Sequence, residues 1–130
     1  MARKRILLID DYGPFATSLS LALSAEHDVE VTLTGEEALA RLDGLRYDAV
    51  LCDVVMPDVS GVDVYRRVRQ SSPALARRFV FLTAGAVSPA AQAFLDQSDN
   101  LVLRKPFQLQ ALSDTLARLW ADEAASRGAA

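Results

Sequence analysis

The stretch "RILLIDDYGP", Arg5 to Pro14, decides how this sequence is read. Ile6 to Ile9 is a short apolar run of the kind a fully buried strand requires, and it stops at two adjacent carboxylates, Asp10 and Asp11. Each charge raises the cost of ionising the other. Something positive is therefore expected beside them.

Working outward, β-branched and Leu-rich runs alternate with stretches of helical spacing, the pattern of repeated βα units and a parallel sheet. Strands are expected at Arg5 to Ile9, Val29 to Leu33, Ala49 to Cys52, Phe79 to Leu82 and Leu101 to Leu103. Helices are expected near Pro14 to Ala25, Glu36 to Leu42, Val62 to Gln70 and Pro89 to Asp96, with a last one from Leu109 to about Ala121. Thr34 and Glu37 fit a capping box. On the last helix Leu109, Leu112, Leu116, Leu119 and Trp120 fall on one stripe, and on the first Phe15, Leu19, Ala22 and Leu23 can turn inward while Leu21 is left outside. The result is a single α/β domain over 1–130, a doubly wound (βα)5 open sheet with a core of about 3–121 and a fraying tail at 122–130.

The chain has 130 residues, 51% hydrophobic and 24% charged, with a net charge of −3. That balance argues against nucleic-acid backbone binding by bulk electrostatics. No segment approaches the ~18 apolar residues of a membrane span, and the first apolar run ends too soon for a secretory signal. The lone Cys52 allows no internal disulfide, which suits a reducing cytoplasm. It is expected to pack inside the sheet, with His27 solvated and Arg66, Arg67 and Arg69 on a solvated helix face.

In open parallel sheets ligands sit just outside the carboxyl ends of the strands. Those ends deliver Asp10 and Asp11 from the first strand, Asp53 from the third, Thr83 from the fourth and Lys105 from the fifth. Singly each has a plain explanation: a solvated loop for Asp10 and Asp11, a turn for Asp53, a surface lysine before Pro106. Jointly they suit phosphoryl transfer to a carboxylate. Clustered aspartates supply hard oxygen ligands for Mg2+, and an ammonium and a hydroxyl can neutralise charge on the transferring oxygens.

The set "LLIDDYGP", "LCDVVMPDVSG", "FLTAG" and "LRKPF" resembles the receiver domain of bacterial two-component response regulators, in order and spacing, from Arg3 to about Trp120. The resemblance implies a flavodoxin-like strand order 2-1-3-4-5. It implies Asp53 as phosphoacceptor, taking its phosphoryl group from a phosphohistidine on a histidine kinase or histidine phosphotransfer protein and promoting only its own phosphorylation and dephosphorylation. Asp11, Asp53 and the backbone carbonyl of Val55 would bind Mg2+ directly and Asp10 through water, while Thr83 and Lys105 would bind the phosphoryl oxygens. It further implies a cis Lys105-Pro106 bond, a loop shaped by Met56-Pro57 and Gly61, and kinase contact along the first helix. The output would be an unidentified downstream protein, with a phosphorylation-dependent dimer left open.

The sequence departs from the family pattern at Val102, where many receivers carry an aromatic residue. The stretch from Thr83 to Phe107 looks more like receivers appended to hybrid sensor kinases. Since the chain opens with Met1 and carries no kinase or output segment, a stand-alone regulator is expected, with a receiver excised from a hybrid kinase as the alternative. Another alternative is a phosphorylation-independent interaction module, which would have lost acidic residues that are retained here. A phosphotransferase of the haloacid dehalogenase type would want Asp-x-Asp after the first strand, and Tyr12 stands there.

Overall fold

The computed structural model describes residues 3–44, 46–85 and 87–128. Five parallel strands, β1 (Arg5–Ile9), β2 (Asp28–Thr32), β3 (Ala49–Asp53), β4 (Phe79–Ala84) and β5 (Leu101–Lys105), form one sheet in the order β2-β1-β3-β4-β5. This is the flavodoxin-like doubly wound order the motifs implied. The helices are α1 (Gly13–Leu23), α2 (Gly35–Leu42), α3 (Gly61–Ser71), the short α4 (Pro73–Ala76), α5 (Pro89–Gln97) and α6 (Leu109–Gly128).

Each central strand is apolar on both faces because both faces are covered. Leu7, Ile9, Val50, Cys52, Phe79 and Phe81 pack on the side of α2, α3 and α4. Their neighbours Ile6, Leu8, Ala49, Leu51, Val80 and Leu82 pack on the side of α1 and α6. The period-two alternation of a strand thus feeds two cores from one run.

Several boundaries differ from the sequence reading, each for a local reason. β3, β4 and β5 run one or two residues further, so that Asp53, Thr83 and Lys105 are strand residues rather than loop residues. Thr34 caps α2 by accepting from the Glu37 N–H at 3.1 Å. The reciprocal capping box is instead at α3, where Ser60 and Asp63 each accept from the other's N–H at 3.1 Å. The first residue of α4 is a proline and Ser72 caps it, a turn too short for periodicity to reveal.

The supposed tail is helical to Gly128, with 129–130 outside the described residues. Glu123 Oε1 meets Arg78 Nε at 2.6 Å, and Arg78 also donates to the Tyr47 carbonyl at 3.0 Å, which ties the end of α6 to the sheet. Leu112, Leu116 and Leu119 are buried as expected, but Leu109 is exposed at the mouth of α6. On α1, Ala16 joins Leu19 and Leu23 inside, and Ala22 faces out. His27 is not solvated. It is buried beneath Trp120, ring centroids 5.3 Å apart, and its Nδ1 accepts from the Lys4 N–H at 3.3 Å.

Candidate functional site

The acidic rim begins where β1 stops. The Asp10 N–H continues the sheet by donating to the Thr32 carbonyl at 3.1 Å. Successive side chains of extended backbone point to opposite sides, so Asp10 is fully buried while Asp11 is exposed. Two adjacent carboxylates thereby acquire different environments.

Both oxygens of Asp10 are engaged. Oδ1 accepts from the Tyr12 N–H at 2.9 Å and Oδ2 from Lys105 Nζ at 2.6 Å. Asp53 closes β3 at only 7% exposure, its Oδ1 accepting from the Val55 N–H at 3.0 Å and its Oδ2 facing Lys105 Nζ at 3.4 Å. Lys105 ends β5, three strands away from β1, and its long stem carries the ammonium across the rim to lie between the two carboxylates. The same ammonium sits 4.4 Å from the centroid of the Phe15 ring. The positive group beside Asp10 is, in the first instance, Lys105.

Burial pushes the Asp53 carboxyl above its ordinary range, against the pull of the Val55 N–H and of Lys105. Burial opposes the charge on Lys105, but the hydrogen bond it donates to Asp10 and the charge of Asp53 outweigh it and hold the ammonium above the usual lysine range. Asp53 is thus a desolvated carboxylate at a strand end, braced at one oxygen by backbone and faced at the other by a cation.

One ammonium does not balance three carboxylates. Oxygens of Asp10, Asp11 and Asp53 all lie within 4.8 Å of one another, an all-oxygen donor set of the kind that suits a hard divalent cation. Thr83, 3% exposed on β4, stands one residue beyond Leu82, the register partner of Asp53, and so reaches the same rim. Val55 turns its side chain to solvent and offers the cluster its backbone. All six residues singled out from the sequence therefore share one end of the sheet.

Gly61 is a structural part of the site whose reason the sequence did not reveal. A Cβ at that position would overlap the carbonyl oxygen of Asp53, so the backbone of α3 approaches the acidic strand end as only glycine allows. The Lys105-Pro106 peptide is cis. Cys52 is fully buried and burial pushes its thiol up, which leaves it an inert core residue. Val102 stands 41% exposed on β5.

A family model described as response regulator receiver domain matches residues 6–117. The transcriptional regulatory protein TrcR of Mycobacterium tuberculosis is 36% identical over 113 residues, covering 83% of this chain and 42% of that protein. TcrA of the same organism is 35% identical over 119 residues, covering 88% of the chain and 45% of that protein. The chain spans under half the length of these curated relatives. Among solved structures, the chemotaxis protein CheY4 of Vibrio cholerae superposes with a TM-score of 0.76 at 30% identity, covering 91% of this chain and 99% of that one. A CheY-like receiver protein of Methanospirillum hungatei, 24% identical, has the same fold at a TM-score of 0.77 over 93% of this chain and 99% of that one.

Proposed function

Since the chain belongs to the response regulator receiver domain family, we propose that it is a phosphorylation-switched signalling module in which Asp53 accepts a phosphoryl group from a phosphohistidine on a histidine kinase or histidine phosphotransfer protein. The observation that carries this is the environment of Asp53: a nearly buried carboxylate held by the Val55 N–H, faced by Lys105 Nζ at 3.4 Å, and clustered with Asp10 and Asp11. An Asp53 oxygen attacks phosphorus, the P–N bond to the donor imidazole breaks, and the imidazole leaves with its electron pair and takes up a proton. The product is an acyl phosphate on Asp53. Lys105 and the Thr83 hydroxyl would bind the transferred oxygens, so that positioning and charge neutralisation do most of the work. The protein promotes its own phosphorylation and turns over no separate substrate.

Asp11, Asp53 and the Val55 carbonyl would hold Mg2+, with Asp10 acting through water. When bound, the ion neutralises charge on the attacking and transferring oxygens. Asp10 has both oxygens committed, to Tyr12 and Lys105, whereas the Asp11 carboxylate is exposed and free to ligate. Asp11→Ala and Asp53→Ala are therefore expected to weaken Mg2+ binding by about tenfold or more, and Asp10→Ala by less. Titration calorimetry measures this, and equal affinity in the three variants and the parent would remove the metal from the reading.

No described helix is long and apolar enough to cross a membrane. As a signalling module of the receiver family, the protein would act in the cytoplasm through contact with a downstream protein. On α1 the Leu21 side chain is 72% exposed and contributes nothing to either core. Leu21→Glu should leave folding and uptake from a small phosphodonor unchanged, because surface substitutions shift stability by only about 0.5 kcal/mol. It should slow transfer from the cognate kinase by about tenfold, since an apolar contact would be replaced by a charge. Equal rates of kinase transfer in variant and parent would take α1 out of the docking surface.

A further inference from the structure

Away from the acidic rim, α3, α4 and α5 border an open surface hollow of about 620 Å³ whose wall plays no part in phosphoryl transfer. Ala90, Ala93, Phe94 and Gln97 face it from α5 at spacings of three, four and seven, the stripe a helix normally fills with large apolar side chains. Two of those positions are alanine, and none of the side chains of α5 is fully buried. The helix therefore rests on Phe94, Leu95 and Ala91, which pack against the core, and leaves open space beside them.

The opposite wall is basic. Arg66 and Arg69, from α3, and Arg77, just past α4, line the hollow, and none of them forms an ion pair among the described residues. Arg5, Arg41 and Arg78, by contrast, are each paired with a glutamate. Asp99 is the single acid in the lining. A surplus of guanidiniums thus surrounds a concave site in a chain whose net charge is −3.

The floor is rigid. The Asn100 amide donates to the carbonyls of Ala76 and Phe79, both at 2.9 Å. Arg66 lies over the Phe94 ring, 5.7 Å from its centroid, which sets a flat cation against an apolar wall. Guanidiniums bind phosphate bidentately, and a hollow of this volume is in the range that takes a small organic ligand.

We propose that this hollow is a binding site for a small oligophosphate ester of the nucleotide class. The phosphates lie against Arg66, Arg69 and Arg77, and the organic body lies along Phe94 and the two alanines. Bound there, the ligand bridges α3 to α5, the helix that follows β4 and Thr83, and can bias the segment next to the phosphorylated site.

The test is calorimetric titration of the full chain with ATP, with pyrophosphate and with adenosine, in EDTA so that the acidic rim has no metal through which to attract phosphate. ATP is expected to bind with a submillimolar Kd, pyrophosphate about tenfold more weakly, and adenosine not measurably. Arg69→Ala/Arg77→Ala should weaken ATP by about tenfold or more while leaving phosphoryl uptake at Asp53 and the thermal midpoint unchanged. Asp53→Asn should bind ATP like the parent, which separates this site from the acidic one. Absence of ATP binding at millimolar concentration overturns the proposal, as does binding that the double arginine variant retains in full. Adenosine binding as tightly as ATP would likewise overturn it, because the phosphates would then contribute nothing.

Discussion

Asp53→Asn should take up no phosphoryl group from a small phosphodonor in Mg2+, where the parent gains one by intact mass. The amide keeps the shape of the carboxyl and an oxygen to accept the Val55 N–H that now holds Oδ1 at 3.0 Å, but it has no anionic oxygen to attack phosphorus. Unfolding is not the cause expected. Burial raises the Asp53 pKa in the folded state, so this group's contribution favours folding most below its unfolded value, near pH 4, and is lost as pH rises through the folded value. Asparagine never ionises and escapes that loss. At pH 7 without metal the variant should melt no lower than the parent, and its stability should fall less as pH rises from about 4. A variant that still gained one phosphoryl group would move the acceptor elsewhere. One that melted much lower would mean that the charge of Asp53 is itself needed for the fold.

The second large effect is expected at Gly61. Its N–H donates to the Val54 carbonyl at 3.1 Å, which draws the first turn of α3 onto the chain leaving β3. A Cβ would overlap the Asp53 carbonyl oxygen and crowd the backbone of Val54. Both obstacles are main chain, so no change of rotamer relieves them. Gly61→Ala should cost about 3 kcal/mol, the upper part of the usual range for overpacking, and lower Tm by roughly 10 °C. Phosphoryl uptake should slow as well, because the backbone that must yield carries the acceptor carboxylate. Gly13→Ala is the matched control: a Cβ there meets nothing within 4 Å, and alanine is the better helix former. Differential scanning calorimetry decides it, and a Gly61→Ala variant melting beside Gly13→Ala would show that α3 can move off β3 at little cost.

How much of this was legible in the sequence follows from the range of the interactions involved. Ile6 to Ile9 announced a strand buried on both faces because burial on a parallel sheet leaves a local mark, an unbroken apolar run. The same local mark put Asp53, Thr83 and Lys105 at strand ends, and parallel strands bring their ends to one rim without further information. The motif resemblance added the strand order, which periodicity alone does not carry. Short-range patterns were still partly ambiguous: Thr34 and Glu37 and Ser60 and Asp63 offer the same capping spacing, and the described residues complete the reciprocal pair only at Ser60.

What the tertiary structure decided is which groups meet. Lys105 and Asp10 are 95 residues apart in the chain and 2.6 Å apart in space. Nothing near Asp10 distinguishes it from Asp11, yet one is sealed against an ammonium and the other faces solvent, because a strand end points neighbouring side chains in opposite directions. His27 read as a surface residue until Trp120, from the far end of the chain, covered it. The end of α6 read as a fraying tail until Glu123 found Arg78. The hollow under α5 is likewise a product of packing: alanines on one helix and arginines on another are unremarkable in sequence, and only the folded chain sets them across the same space. Composition and periodicity record what each residue prefers locally, whereas a site is made by contacts that loop closure brings together only when the whole sheet has formed.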